Sequence, residues 1–300
     1  MSELDFAFFN LMPNDKRGLV YRKYLLDRLA PFLFAPRVAR MIDLPAMDAR
    51  GYHVLLPLGA GNLNSMEPER RQQILGRSID VARNFNLPAL AVDRRLKEQF
   101  PPPDVDLRLI FGDHFVKALA AAYIKRILNQ HDVKRVIIAT DNEDLVGFMN
   151  YLSRFGVPLS VQTYHPARYE PVAHQMMYEK GLAVSTSMFN PQSWERGDLV
   201  VVFDPQDRFM TLSPRSVFYL QLGNNSRNLA PALESSLSSY GVKACLHNLA
   251  PIMELCLGPV AAELPPAEGS GETNHPQAFI ALEKAAASLG LWELFLDKAR

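Results

Sequence analysis

Residues with the types and spacing for chemistry fall in a few short stretches. The first is the turn Ala139-Thr140-Asp141-Asn142-Glu143-Asp144, which follows the apolar run Val136-Ile137-Ile138 and precedes a helical pattern. Parallel α/β proteins seat ligands at such turns, where backbone N–H groups of the helix start face an anion. A dinucleotide asks for Gly-x-Gly-x-x-Gly there, because side chains hold the pyrophosphate away. This chain has no glycine until Gly147, and three carboxylates would face a diphosphate. Each such charge at about 4 Å costs on the order of 1 kcal/mol or more. Either a nucleotide binds in an altered way, through Thr140, Asp141 and Asn142, or nothing phosphorylated binds. The plainer reading is that Asp141 or Asn142 caps the helix and the acids complement its dipole.

The next strand ends in Thr163-Tyr164-His165-Pro166-Ala167-Arg168. NAD sites place an acid here for the ribose, and NADP sites a basic group for the 2′-phosphate. With no acid present, His165 and Arg168 point to NADP if any cofactor binds; otherwise this is an exposed basic loop. Earlier, Val54–Leu58 runs into Gly59-Ala60-Gly61-Asn62, where small residues let backbone approach a ligand. Gly59, Gly61 and Asn62 are therefore the candidate substrate-binding residues.

Carboxylates offer a second chemistry. Asp93, Asp141 and Asp204 each follow an apolar strand. Strand ends of one parallel sheet share an edge, so these three could converge on Mg²⁺ and support phosphoester cleavage. Ala139–Phe148 also looks somewhat like the acidic turn of PIN/NYN-type nucleases. Against that, the first strand ends in Asn10 rather than Asp, and strand-end Asp is a common turn former. The histidines are scattered without a His-x-x-x-His pair, which argues against zinc.

The elements that must position these residues read as α/β. Strands are expected at Phe6–Leu11, Val54–Leu58, Ala89–Val92, Arg135–Ala139, Leu159–Thr163, Leu182–Ser185, Leu199–Phe203 and Val217–Leu222. Helical spacing covers Gly18–Leu33, a stretch from Ser65–Pro68 onward, Asp113–Gln130, Leu145–Phe155, Pro171–Lys180, 226–240, Leu249–Leu257 and 277–299. Strands alternating with helices imply a mostly parallel sheet covered on both faces. Segment 99–106, with three consecutive prolines, is a rigid connection, and Gly258–Pro276 reads as a mobile linker. The lobes are expected at 1–110, which the helices of 258–300 could complete, and at 111–257, a Rossmann-like lobe with helices on both faces.

This order of elements is similar to that of shikimate-dehydrogenase-like proteins, and within them to the acyl-carrier-protein reductase and predicted amino-acid dehydrogenase group. The resemblance rests on Pro57-Leu58-Gly59-Ala60-Gly61-Asn62, on Val136–Gly156 with Gly197-Asp198-Leu199-Val200-Val201-Val202, and on Ala244-Cys245-Leu246 with Met253-Glu254-Leu255. It implies an NAD(P)-dependent oxidoreductase, although the family's glycine fingerprint is missing. It also implies Cys245 as a nucleophile: a thiolate can take an acyl group and present a thioester to hydride. A thiolate needs a nearby cation, and His247 lies two residues on. A free cysteine is more often a small buried hydrophobe.

Composition narrows the rest. The 300 residues carry 32 Lys plus Arg and 32 Asp plus Glu, so nothing favours a nucleic-acid or anionic membrane partner. Two cysteines, Cys245 and Cys256, cannot build a disulfide framework. No apolar stretch approaches the roughly 20 residues of a membrane span, and a cytoplasmic setting is expected. The expected partner is a small-molecule ligand, with a homodimer allowed. Three readings stay open: an oxidoreductase relative with an altered or lost dinucleotide site, a metal-dependent phosphoesterase, and a non-catalytic sensor or assembly module.

Overall fold

In the computed structural model, residues 5–18, 21–87, 89–100, 107–141, 145–203, 217–222, 245–263 and 278–295 are described. The chain divides into two units, Met1–Asp113 with Leu229–Glu263, and His114–Asn228 with Leu264–Arg300. Each is built on a five-stranded sheet.

The first unit contains β1 (Phe6–Leu11), α1 (Lys23–Leu33), β2 (Arg37–Leu44), β3 (Ala49–Leu56), α2 (Ala60–Asn64), α3 (Pro68–Arg83), β4 (Ala89–Val92) and β5 (Arg108–Ile110). It also takes the long helix α7 (Leu246–Glu263) from near the end of the chain. Its strand order is β2-β3-β1-β4-β5, with only β2 antiparallel to its neighbour. One face of the sheet sends Ala7, Phe9, Leu11, Val54, Leu56, Leu90 and Val92 into a core shared with Leu26, Ile74, Leu75 and Ile79 of α1 and α3. The other face is covered by α7, which packs on β1, β4 and β5. Both faces are dry, which is why Phe6–Leu11 and Ala89–Val92 read as unbroken apolar runs.

The second unit contains α4 (Asp113–Gln130, from residue 114 on), β6 (Arg135–Ala139), α5 (Val146–Leu152), β7 (Leu159–Gln162), α6 (Glu170–Lys180), β8 (Val184–Ser187), β9 (Asp198–Val202) and β10 (Phe218–Gln221). Two further helices, α8 (Ala278–Ser288) and α9 (Trp292–Phe295), complete it. All neighbouring strands are parallel, in the order β10-β9-β6-β7-β8. Numbered from β6 and read from β8 to β10, the order is third, second, first, fourth, fifth, as in a doubly wound sheet. The mixed α/β class with mostly parallel, helix-flanked sheets is therefore as expected. Gly156, at φ 67°, ends the turn after α5 in a backbone region that side chains disfavour, the stop that its sequence position suggested.

The expected lobe boundaries differ from these units at the C-terminal end. The helix at 246–263 joins the first sheet, because its residues from Leu246 through Met253 are all buried there. The helices at 278–288 and 292–295 join the second, where Phe115 of α4 packs against Trp292 and Phe295. The first residues of the linker expected at Gly258–Pro276 are helical as far as Glu263; the rest lies outside the described residues. Strand β2 was not foreseen: five of its eight residues are exposed, and an edge strand carrying Arg37, Arg40 and Arg50-facing Asp43 lacks an apolar run. The helix expected at 226–240 lies outside the described residues. Among the described residues, no helix is long and apolar enough to cross a membrane.

Candidate functional site

In the second sheet, strands β7 and β9 flank β6 while their connections leave on opposite sides. That switch point, at the carboxyl edge, is where open α/β sheets leave room for a ligand. Thr140 ends β6 there, buried, with its N–H donating to Gln162 O at 3.0 Å. The Asp141 carboxylate accepts from Thr163 Oγ1 at 2.7 Å and from Tyr164 N at 2.6 Å. It ties the loop after β6 to the loop after β7. Among the described residues, the one that precedes α5 is Leu145, whose side chain makes no capping hydrogen bond. His165 N donates to Thr163 Oγ1 at 3.2 Å, so His165 follows directly from this anchored turn.

Thr140, Asp141, His165 and Arg168 thus share one edge of one sheet. His165 and Arg168 are exposed, and the Arg168 guanidinium carbon stands 5.6 Å from the Tyr169 ring centre. The crevice lined by Ala139, Thr140, Asp141, Gln162, Thr163, Phe189 and Val202 has a volume of about 10 Å³, enough for one water. Its floor is fixed by Gln162, whose Oε1 accepts from Trp194 Nε1 at 3.0 Å and whose Nε2 donates to Ser193 Oγ at 3.1 Å. Asn142 lies outside the described residues.

In the first unit the loop after β3 folds against the loop after β1. Asn62 N donates to Asp15 Oδ1 at 3.1 Å, Lys16 N donates to Asn62 Oδ1 at 2.8 Å, and Asn62 Nδ2 donates to Lys16 O at 3.1 Å. A Cβ at Gly59 or Gly61 would collide with Asp15. The small residues after this strand therefore admit a close approach, as their spacing suggested. The group that approaches is this chain's own Asp15, whose carboxylate occupies the α2 N-terminus where an anion would be favoured.

Beneath α7, the other face of the first sheet is polar at its carboxyl edge. Phe8 pairs with both His53 and Ala91, so His53, Asn10 and Asp93 lie on one face. His53 Nε2 donates to Asn10 Oδ1 at 2.6 Å, and His53 Nδ1 has no hydrogen-bond partner among the described residues. Burial, helped by the charge of Arg40, pulls the His53 pKa down to about 4, so the ring is neutral. Asp93 accepts from Arg95 N at 3.0 Å and clasps its guanidinium, with Nη2 at 2.6 Å. Burial works against the Arg95 charge. The hydrogen bond and charge of Asp93, with a smaller contribution from Cys245, outweigh it and raise the Arg95 pKa. Cys245 is fully buried, with Sγ 2.8 Å from His247 Nε2, so the pair expected from sequence spacing is formed. At Cys256, burial and then the charge of Asp5 push the thiol up to about 12.

The sequence argument for converging carboxylates assumes one shared sheet edge, whereas the chain builds two sheets. Asp93 follows β4 of the first sheet and Asp141 follows β6 of the second, so the shared-edge argument for a metal does not apply to them. Asp93 is already neutralised by Arg95, and Asp204 lies outside the described residues. Among the described residues, no cluster of three or more His, Cys, Asp or Glu could hold a metal ion. Sequence reading missed Asn10, Asp15, His53 and Arg95. Asn10, Asp15 and His53 depend on partners distant in sequence, Asn62 being 47 positions from Asp15, whereas Arg95 lies only two residues from Asp93.

No family model matches the chain, and no curated protein matches it either. Among solved structures it is similar to L-tryptophan dehydrogenase from Nostoc punctiforme, at 11% identity and a TM-score of 0.42 over 96% of this chain and 81% of that one. It is also similar to a shikimate dehydrogenase in complex with NADP+, at 8% identity and a TM-score of 0.36 over 96% of each chain. The 5-ketofructose reductase of Gluconobacter sp. follows at 10% identity and a TM-score of 0.34, over 93% of this chain and 98% of that one. Such likeness is loose and carries no residue roles; the strand order described above is what defines the fold.

Proposed function

We propose that this chain is a Rossmann-type protein related to NAD(P)-dependent oxidoreductases, with an altered dinucleotide site. The observation that carries the reading is the parallel order β10-β9-β6-β7-β8, which sets Thr140, Asp141, His165 and Arg168 around one topological switch point. NADP is the cofactor that this edge suits better than NAD. Arg168 supplies positive charge after β7, with the His165 imidazole beside it, and the Asp141 carboxylate is engaged by hydrogen bonds from Thr163 and Tyr164. The missing glycines are the altered part: the diphosphate would meet side chains rather than bare backbone.

A small-molecule substrate in the first unit would have to displace Asp15 from Gly59, Gly61 and Asn62, and Cys245, fully buried, would have to be uncovered before its thiol could take an acyl group. His247 is placed to accept its proton. The decisive experiment is a titration of the protein with NADPH, followed by nucleotide fluorescence and by melting temperature. Saturable binding, weaker for NADH, supports the reading. No response at millimolar NADPH rejects it and leaves the non-catalytic module.

A further inference from the structure

Apolar side chains left in water are not spread evenly over this molecule. Among the described residues eleven large hydrophobic side chains are exposed, and five of them, Tyr24, Phe32, Leu33, Val38 and Met41, fall within α1 and β2 of the first unit. Of these five, Phe32 and Tyr24 stand furthest out, at 80% and 73% exposure. Helical spacing puts Tyr24, Arg28 and Phe32 on one outward stripe of α1. Phe32 and Leu33 then lead into β2, the open edge strand of its sheet. There Val38 lies opposite Val54, and Met41 lies opposite Tyr52. Opposed residues of a strand pair share a face, and Val54 belongs to the core that Leu26 of α1 closes. Val38 and Met41 therefore lie on the α1 side of the sheet, along the same flank as the exposed residues of the helix.

Cations border this flank. Residues 22–41 carry five, Arg22, Lys23, Arg28, Arg37 and Arg40, against the single carboxylate of Asp27, a surplus of four in a chain whose total charge is zero. Lys23 is paired with Glu67 at 2.8 Å, and Asp27 accepts from Glu67 N at 2.8 Å. The four arginines are exposed. Arg37 lies opposite Leu55 and Arg40 opposite His53, so these two edge the flank from the other face of β2. The balanced total hides the surplus, because the compensating acids lie elsewhere in the chain.

Charge decides which partner fits. An isologous contact with a second copy would set this positive flank against itself, which repels. A nucleic acid would match the charge but not Leu33, Val38 and Met41, which cannot stack on bases. A surface that is anionic outside and aliphatic within matches both sets of side chains.

We propose that the α1–β2 flank of the first unit rests on an anionic lipid surface. Phe32 and Leu33 enter the boundary between headgroups and acyl chains, and Arg22, Arg28, Arg37 and Arg40 face the lipid phosphates. The attachment asks for no spanning segment, and it does not rest on nucleotide binding.

The test is cosedimentation of the full chain with vesicles of phosphatidylcholine alone and with vesicles in which about a third of the lipid is phosphatidylserine. The expected result is binding to the second kind, roughly tenfold weaker binding to the first, and release as salt screens the charges. Phe32→Ser combined with Leu33→Ser should weaken binding roughly tenfold or more, and Arg28→Glu combined with Arg37→Glu should abolish the preference for the anionic vesicles. All four side chains are exposed, so the melting temperatures should stay close to that of the natural chain. Should either paired variant misfold, Tyr24→Ser and Arg22→Glu take its place and should each weaken binding. No binding to either vesicle, equal binding to both, or unchanged binding by the folded variants overturns the proposal. A dimer in sedimentation equilibrium that Phe32→Ser with Leu33→Ser dissociates also overturns it, and gives the flank to a second copy. Retention by an oligonucleotide that Arg28→Glu with Arg37→Glu abolishes overturns it in favour of nucleic acid. NADPH is titrated separately, so a failure here is distinguishable from a failure of the nucleotide reading.

Discussion

Arg95 Nη2 sits 2.6 Å from Asp93 Oδ2, and Arg95 Nε lies 3.0 Å from Oδ1 of the same, wholly buried carboxylate. The contact spans only two residues, yet it decides the polarity of the sheet face under α7. Asp93 is wholly buried, and Arg95 is the cation that balances its carboxylate there. Removing Arg95 is therefore expected to cost more than removing the charge on Asp93. Arg95→Ala should destabilise the protein by about 2–4 kcal/mol, and Asp93→Asn by about 1–2 kcal/mol. The double variant should cost at least ~1 kcal/mol less than the sum. Urea unfolding of the four proteins measures this cycle, and strict additivity would show that the pair is not coupled.

His53 supplies a pH dependence on the same face. Its folded pKa, about 4, is depressed from the ordinary 6.5 by burial first and by Arg40 second. The unfolded chain thus binds the proton more readily than the folded one. The stability that His53 contributes is complete above pH 6.5 and is lost as the pH falls toward 4. The shift corresponds to roughly 3 kcal/mol at most. Unfolding free energies across this range should fall steeply for the natural chain and much less for His53→Gln, whose amide keeps a donor for Asn10. Parallel profiles for the two proteins would remove His53 as the cause.

How much of this was written in the sequence depends on the range of the contact. Phe6–Leu11, Ala89–Val92 and Asp113–Gln130 were legible because apolar runs and helical spacing are local properties. Strand β2 was not, since its exposed edge carries arginines in place of an apolar signal. The Cys245–His247 pair was legible at two residues' spacing, and the Asp15–Asn62 clamp was hidden by the chain between them. Asp93 and Asp141 misled for a related reason: both end strands, and only the topology says that they end strands of different sheets.

The two glycines after β3 make a sharper prediction than either alone. A Cβ at Gly59 would lie 2.7 Å from the backbone N and Cα of Asp15, which cannot move without the whole loop. At Gly61 the obstacle is the Asp15 carboxyl group, the far end of a side chain. Gly59→Ala should therefore destabilise by about 2 kcal/mol or more, and Gly61→Ala by about 1 kcal/mol. Adding Asp15→Ala should relieve Gly61→Ala and leave Gly59→Ala unrelieved. Melting curves of the single and double variants decide it; relief of both would mean that the backbone approach at Gly59 is not rigid.

Arg168 tests the nucleotide reading at a single group. Its guanidinium is exposed beside the Tyr169 ring, one turn beyond the loop that Asp141 anchors through Thr163 and Tyr164. A basic side chain at the end of the strand after the first βα turn meets the 2′-phosphate of NADP and has nothing charged to meet on NAD. Arg168→Ala should weaken NADPH about tenfold, the worth of one charge-assisted contact near the surface, and leave NADH affinity unchanged. Because the side chain is exposed and makes no buried ion pair among the described residues, the melting temperature of the unliganded variant should stay within a degree or so of the natural chain. Fluorescence titration with both nucleotides reads the difference. An equal loss for NADPH and NADH would place Arg168 at the diphosphate instead, and no loss for either would take it out of the site.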